Sequence, residues 1–255
     1  MVQNAYYWRD VLALCSTCKA FQREAEIRLY QQLQFGDSRR VLLACNTVTG
    51  NERLALHVKC FWFNQSNDRQ RSIDLGREFW TVIQKALIAM CNIEVLFLCD
   101  RSFSNGWILD NPGIQFKLKE AKLWSIWNAP LTNFLERQTS LQTLRFVDAV
   151  EDITHQITPG ALPDLQIFDG TCMVALQLLS CPLLHLQMMM DTDPDQVPLQ
   201  RLSSFRKTLR SLNLLEIPEE WSIRFLGIVC ATLPDLQHIG IFPYPILSVS
   251  LPHNA

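Results

Sequence analysis

Leu162-Pro-Asp-Leu-Gln166 and Leu233-Pro-Asp-Leu-Gln237 are identical pentapeptides, and each opens a segment with the same spacing of apolar residues. Leu165, Phe168 and Gly170 take positions n−3, n and n+2 of the first segment, and Leu236, Ile239 and Ile241 those of the second. Outward along the chain the pattern recurs at Val58/Phe61/Phe63, Ile93/Leu96/Leu98, Leu118/Ala121/Leu123, Leu141/Leu144/Phe146, Leu183/Leu186/Met188 and Leu209/Leu212/Leu214. Residues n and n+2 share one face of a strand, so each segment reads as a short strand with one apolar side. Gly170 is the one departure from apolar character. The central residues step by 35, 25, 23, 24, 18, 26 and 27, and a sustained pitch of about 20 to 29 residues is the mark of stacked repeats. Pro163, Pro182 and Pro234 break the chain shortly before three of the strands.

Helical spacing fills the gaps. Phe79, Val82/Ile83, Ala86/Leu87 and Met90 put one apolar face along 76–91, and Leu131/Phe134/Leu135 marks a shorter helix. Pro218-Glu-Glu-Trp221 suits a helix start, because proline tolerates the first turn and carboxylates favour the positive dipole end; Trp221, Phe225 and Val229 then line one face. Segments 171–180 and 198–207 read the same way. The strand signature and its pitch resemble the leucine-rich repeat. That resemblance implies an α/β solenoid over 37–255 with parallel strands on its concave side. The asparagine that usually follows the strand is missing, since Arg101, Ala149 and Ile217 stand three residues past it. A doubly wound α/β domain would also alternate strand and helix, and it is the alternative architecture.

The composition narrows the function. Of 255 residues 48 % are hydrophobic and 19 % charged, with a net charge of −2, which is globular and argues against long disordered tails. No Lys/Arg run exceeds a pair such as Arg39–Arg40, so duplex nucleic acid is not an expected partner. Met1–Asp10 lacks the apolar run of a secretory signal. The most apolar stretch, Met173 to Met190, holds Gln177, Ser180, Pro182, His185 and Gln187, and no membrane span is expected. Without an export signal, the sequon Asn64-Gln-Ser66 carries no weight. The nine cysteines are odd in number and irregular in spacing, as suits reduced thiols in the cytoplasm or nucleus. Cys15-Ser-Thr-Cys18 has no second ligand pair and the five histidines are scattered, so no metal or other cofactor is expected.

Nor does the sequence assemble a catalyst. Phosphate-binding glycine loops, HExxH and GxSxG are all missing. Ser16–Lys19 fits SxxK without its companion motifs. Asp191-Thr-Asp-Pro-Asp195 has Gln196 where a calcium loop needs glycine and Leu202 where it needs glutamate, and so reads as a solvated acidic turn. Glu219–Glu220 are explained by the helix start. The expectation is a non-catalytic binding protein.

Upstream of the repeats, Leu12-Ala-Leu-Cys-Ser-Thr-Cys-Lys-Ala-Phe21 is similar to the second half of an F-box. Arg23–Leu33, with Leu29-Tyr30, matches the closing helix common in fungal F-box proteins, and His57-Val-Lys-Cys-Phe-Trp-Phe63 resembles their first following strand. The resemblance implies a partial F-box-like helical segment over 1–36 that docks a Skp-type adaptor through Leu12, Leu14, Cys18 and Phe21. The repeats would then hold an unidentified protein substrate for a cullin–RING (SCF-type) ubiquitin ligase. The family's opening helix, a Leu-Pro followed by acidic and apolar residues, has no counterpart before Trp8, and adaptor docking is expected to suffer for it. The bland reading of the same helices is a cap that shields the first repeat, and the rival function is a stand-alone repeat scaffold.

Alternation along each strand turns n−1 and n+1 away from the core. The n+1 row reads Trp62, Phe97, Lys122, Arg145, Asp169, Gln187, Asn213 and Gly240, and the first seven make the candidate partner-binding strip: aromatic, then charged, then polar. Trp62 and Phe97 either anchor a partner or lie under the N-terminal helices or the insertion at 99–117. Trp107, Trp124 and Trp127 cluster near that insertion as core or as the wall of a pocket. Phe61, Leu96, Leu144, Leu186, Leu212 and Ile239 should be buried in one column. The end of the chain, Pro243–Ala255, has no recognisable polar capping repeat, so the last strand is expected to present an open edge or to continue in a longer product.

Overall fold

The structure, a computed structural model, describes residues 5–65, 75–148, 155–190 and 199–243. It opens with helices α1 (Ala5–Cys15) and α2 (Lys19–Tyr30), followed by β1 (Gln32–Phe35), α3 (Ser38–Thr49), α4 (Glu52–Ala55) and β2 (Cys60–Asn64). Then come α5 (Arg77–Ala89), β3 (Val95–Cys99), a 3-10 turn (Gly106–Leu109), β4 (Glu120–Trp124), α6 (Ala129–Glu136), β5 (Thr143–Val147) and β6 (Ile167–Thr171). The last part holds α7 (Cys172–Ala175), β7 (His185–Met189), a 3-10 turn (Leu199–Phe205), β8 (Ser211–Ile217), a 3-10 turn (Glu219–Trp221), α8 (Ser222–Thr232) and β9 (His238–Pro243).

Among the described residues all nine strands join one parallel sheet whose order follows the chain, β1 through β9. A doubly wound sheet reverses its strand order at a switch point, and this sheet has no reversal. The arrangement is compatible with a solenoid. Register follows the apolar pattern: Phe61, Leu96, Ala121, Leu144, Phe168, Leu186, Leu212 and Ile239 are successive cross-strand partners. A slip of one residue would turn every n and n+2 side chain out of the core, so burial fixes the pairing.

Helices and turns pack on one face of the sheet. Phe79, Trp80, Ile83, Ala86 and Leu87 of α5 are buried, as are Leu131, Phe134 and Leu135 of α6 and Phe225 and Val229 of α8. Helix starts are fixed locally. The Asp37 carboxylate accepts from the Arg40 amide at 2.8 Å, and the Asn128 side chain caps α6 by accepting from the Leu131 amide at 3.2 Å. At Gly170 the repeat pattern fails for a steric reason, because a Cβ there would stand 2.4 Å from the Phe146 carbonyl oxygen. The turn after β3 has no repeat asparagine. Instead the buried Asp100 carboxylate accepts from the amides of Ser102 and Asn105, each at 2.9 Å.

Several expectations are corrected. Helix α2 ends at Tyr30, and Leu33, expected in a closing helix, lies in β1 opposite Phe61. The sheet therefore begins inside segment 1–36. Ile239 is 39 % exposed rather than buried, because β9 is the last strand and no described element covers its outer side. Segment 171–180 yields only the four-residue α7, since Thr171 completes β6; the described part of segment 198–207 holds a 3-10 turn, Leu199–Phe205; and a 3-10 turn precedes α8 at Glu219. Ile217, expected beyond its strand, belongs to β8, which a bulge at Glu216 (φ 59°) prolongs. The acidic turn at 191–195, Ser66 of the sequon and the chain end from 244 lie outside the described residues.

Candidate functional site

The opposite face of the sheet carries no helix among the described residues. Parallel sheets are usually covered on both sides, so an open face is where a partner has room. The strip Trp62, Phe97, Lys122, Arg145, Asp169, Gln187 and Asn213 is continuous, each residue being the cross-strand partner of the next. At about 4.8 Å per strand it runs about 29 Å across the sheet.

The strip has three zones. Trp62 and Phe97 are half-buried and lean on each other, with ring centroids 4.7 Å apart and planes tilted by 31°. Within the 99–117 insertion, Ile108, Leu109, Ile114 and Phe116 enter the core, while Phe103 stacks on Trp124. The Lys122 ammonium stands 4.8 Å over the Phe97 ring, a cation–π contact, and Arg145 lies beside it with Glu120 at 3.8 Å. In the third zone the Gln187 amide donates to Asp169 at 2.8 Å. A shallow open depression of about 210 Å³ surrounds that bond, lined by Arg145, Asp169, His185, Gln187, Ser211 and Asn213.

The edge at the start of the strands adds a fixed ion cluster. Glu94 accepts from Lys119 and from Lys59, each at 2.8 Å, and these two hydrogen bonds hold its carboxyl down at about 2. The thiols behave as small hydrophobes: burial pushes Cys45 and Cys99 up to about 12, which keeps them protonated. In the depression His185 and Ser211 are neighbours, yet no hydrogen bond joins His185 to Ser211 or to Asp169, so no nucleophile is paired with a base. Among the described residues no three His, Cys, Asp or Glu side chains gather as a metal would require, and no helix is long and apolar enough to cross a membrane.

A second surface lies at the front of the molecule. Leu12 (57 % exposed), Leu14 (40 %), Phe21 (56 %) and Cys18 are all exposed on α1, α2 and the turn between them. They do not shield the first repeat. Contact with the rest of the chain comes instead from the buried face of α2, where Ala25 packs and the Glu26 carboxylate pairs with Arg53 of α4. Trp127 is core: it packs edge-on against Phe146 and donates to the His155 carbonyl at 2.7 Å. Trp107 and Trp124 are half-buried, the first under the Arg77 guanidinium and the second stacked on Phe103.

Sequence reasoning missed β1, although Tyr30, Leu33 and Phe35 fit the n−3, n, n+2 pattern 28 residues ahead of Phe61. It also missed Asp100, whose signal was a lone carboxylate followed by Ser102, Ser104 and Asn105. No protein-family model and no curated protein matches the chain.

Proposed function

We propose that the protein is a non-catalytic substrate receptor of an SCF-type cullin–RING ubiquitin ligase, with leucine-rich-repeat-like modules that hold the target protein and an F-box-like front that docks a Skp-type adaptor. The observation that carries the reading is the pairing of two surfaces on one frame. An open sheet face lies across the nine in-order strands of the described residues, and Leu12, Leu14, Cys18 and Phe21 are exposed on the helices and turn before it. Three large apolar side chains left exposed within ten residues of chain support a contact with another protein there. The Glu26–Arg53 pair and the buried Ala25 tie the front helices to the stack, so a substrate on the sheet would be held in fixed relation to an adaptor on α1 and α2. Free thiols in the core suit a cytoplasmic or nuclear setting.

The same tie favours one alternative, a stand-alone scaffold in which α1 and α2 only close the stack. Co-purification of the full chain with a Skp-type adaptor separates the two. Under the receptor reading the adaptor is retained, and Leu14→Asp or Phe21→Glu abolishes retention while the melting temperature stays within about 2 °C, as fits surface substitutions. No retention, either by this chain or after fusion of an upstream amphipathic helix, leaves the scaffold.

A further inference from the structure

We infer that the open sheet face binds an extended acidic peptide: one large apolar side chain rests on Trp62 and Phe97, a carboxylate three residues along meets Lys122 and Arg145, and a short hydrogen-bonding side chain three residues further enters the depression at the Asp169–Gln187 bond. This deepens the receptor reading by naming what the face holds, and it rests on that reading only in taking the face to be a binding surface.

Charge argues for the carboxylate. The chain as a whole is net negative, at −2, yet the middle of the strip is cationic. Lys122 has no ion-pair partner among the described residues; its ammonium faces the Phe97 ring. Arg145 stands 3.8 Å from Glu120, beyond hydrogen-bond length. Asp169, the next acid along the row, already accepts from Gln187. Lys59 and Lys119 do not compete for the ligand, since Glu94 holds both at 2.8 Å. An incoming carboxylate therefore finds two adjacent donors that are short of acceptors. Its apolar neighbour finds a paired aromatic platform, the kind of site that concentrates binding energy.

Spacing argues for the backbone. The aromatic pair on β2 and β3, the cationic pair on β4 and β5 and the Asp169–Gln187 pair on β6 and β7 are centred two strands apart, about 9.6 Å each at the usual inter-strand distance. A peptide parallel to the strands would meet only one zone, so one that reads all three must cross them. A β-extended ligand repeats a face every two residues, about 6.7 Å, and misses this interval. A polyproline II segment repeats every three residues, about 9.3 Å, and matches it; its backbone is already extended before binding, which lowers the ordering cost.

Fluorescence anisotropy with the full chain tests the idea. The probes are labelled heptapeptides of the form apolar–Pro–Pro–Glu–Pro–Pro–Asn, with Leu, Phe or Trp as the apolar residue, and the same sequences reversed. At least one should bind. Replacing its Glu by Gln, or the protein's Lys122→Glu or Arg145→Glu, should weaken binding about tenfold or more, and so should Trp62→Ala. On the wild-type protein, raising salt from about 50 to about 500 mM should weaken the Glu peptide and leave the Gln peptide nearly unchanged. Four results would overturn the inference: no binding by any probe, equal binding when Lys replaces Glu, tighter binding of a two-residue-spaced peptide, or binding only when a phosphorylated residue replaces Glu. Adaptor retention through Leu14 and Phe21 is scored on the same preparations, so loss of peptide binding and loss of the ligase reading are told apart.

Discussion

Leu144→Ala and Leu212→Ala remove the same three carbons from the same column of the core, and they should not cost the same. Each loses about 2.4 kcal/mol of transfer free energy at about 0.8 kcal/mol per buried methylene. What differs is the cavity. Leu144 lies between Ala121 and Phe168, and all three are fully buried in mid-sheet. Ala121 is too short to fill the space and Phe168 is confined, so up to about 2 kcal/mol of cavity cost should remain and the total should be about 4 kcal/mol. Leu212 lies between Leu186, 2 % exposed, and Ile239, 39 % exposed on the edge strand. That edge can settle inward, and the total should be about 2 to 3 kcal/mol. Urea unfolding followed by far-UV circular dichroism reads both. In a stack whose modules touch only their neighbours, Leu212→Ala should also lower the m-value as the last strand frays first. Equal costs, a reversed order, or a Leu144→Ala cost below about 1 kcal/mol would refute the single packed column.

Gly170→Ala should destabilise by about 1 to 3 kcal/mol, because its Cβ would stand 2.4 Å from the Phe146 carbonyl and force β5 from β6; Gly227→Ala in α8, with open space around it, should gain up to about 1 kcal/mol in the same denaturation assay. Hydrogen bonds from Lys119 and then Lys59 hold the Glu94 carboxyl at about 2. A folded-state value depressed below that of the unfolded chain gives stability that is present above about pH 4.3 and is lost as pH falls toward 2. With both lysines about half exposed, solvent screening keeps the amount below about 1 kcal/mol. The melting-temperature gap between wild type and Glu94→Gln should therefore be small at pH 7 and close by about pH 2; a gap that widens on acidification would contradict the assignment.

Strand positions could be read in advance because each β-strand must hide n and n+2 and can do so in only one register. Phe61, Leu96 and Leu144 thus carried both the element and its partner. The n+1 strip followed from the same alternation, and the structure places Trp62 through Asn213 side by side. Less could be read where two periods overlapped. Tyr30 and Leu33 continue the helical spacing of α2, which hid the start of β1. The backs of the later repeats were overestimated as helix, because 3-10 turns such as Leu199–Phe205 bury residues at the same three-residue spacing. The ring contact between Trp62 and Phe97, and the lysine above it, depend on rotamers that a sequence does not encode locally.

The in-order sheet also bears on how the molecule is made. Every strand's partner is the one synthesised immediately before or after it, so the loop to be closed at each step is a few tens of residues and never the whole chain. The protein can therefore be laid down course by course as it leaves the ribosome, with α1, α2 and β1 as the foundation and each new layer seated on a finished one. A stall or cleavage midway would leave a shorter wall with its first courses standing, not a tangle awaiting a missing centre.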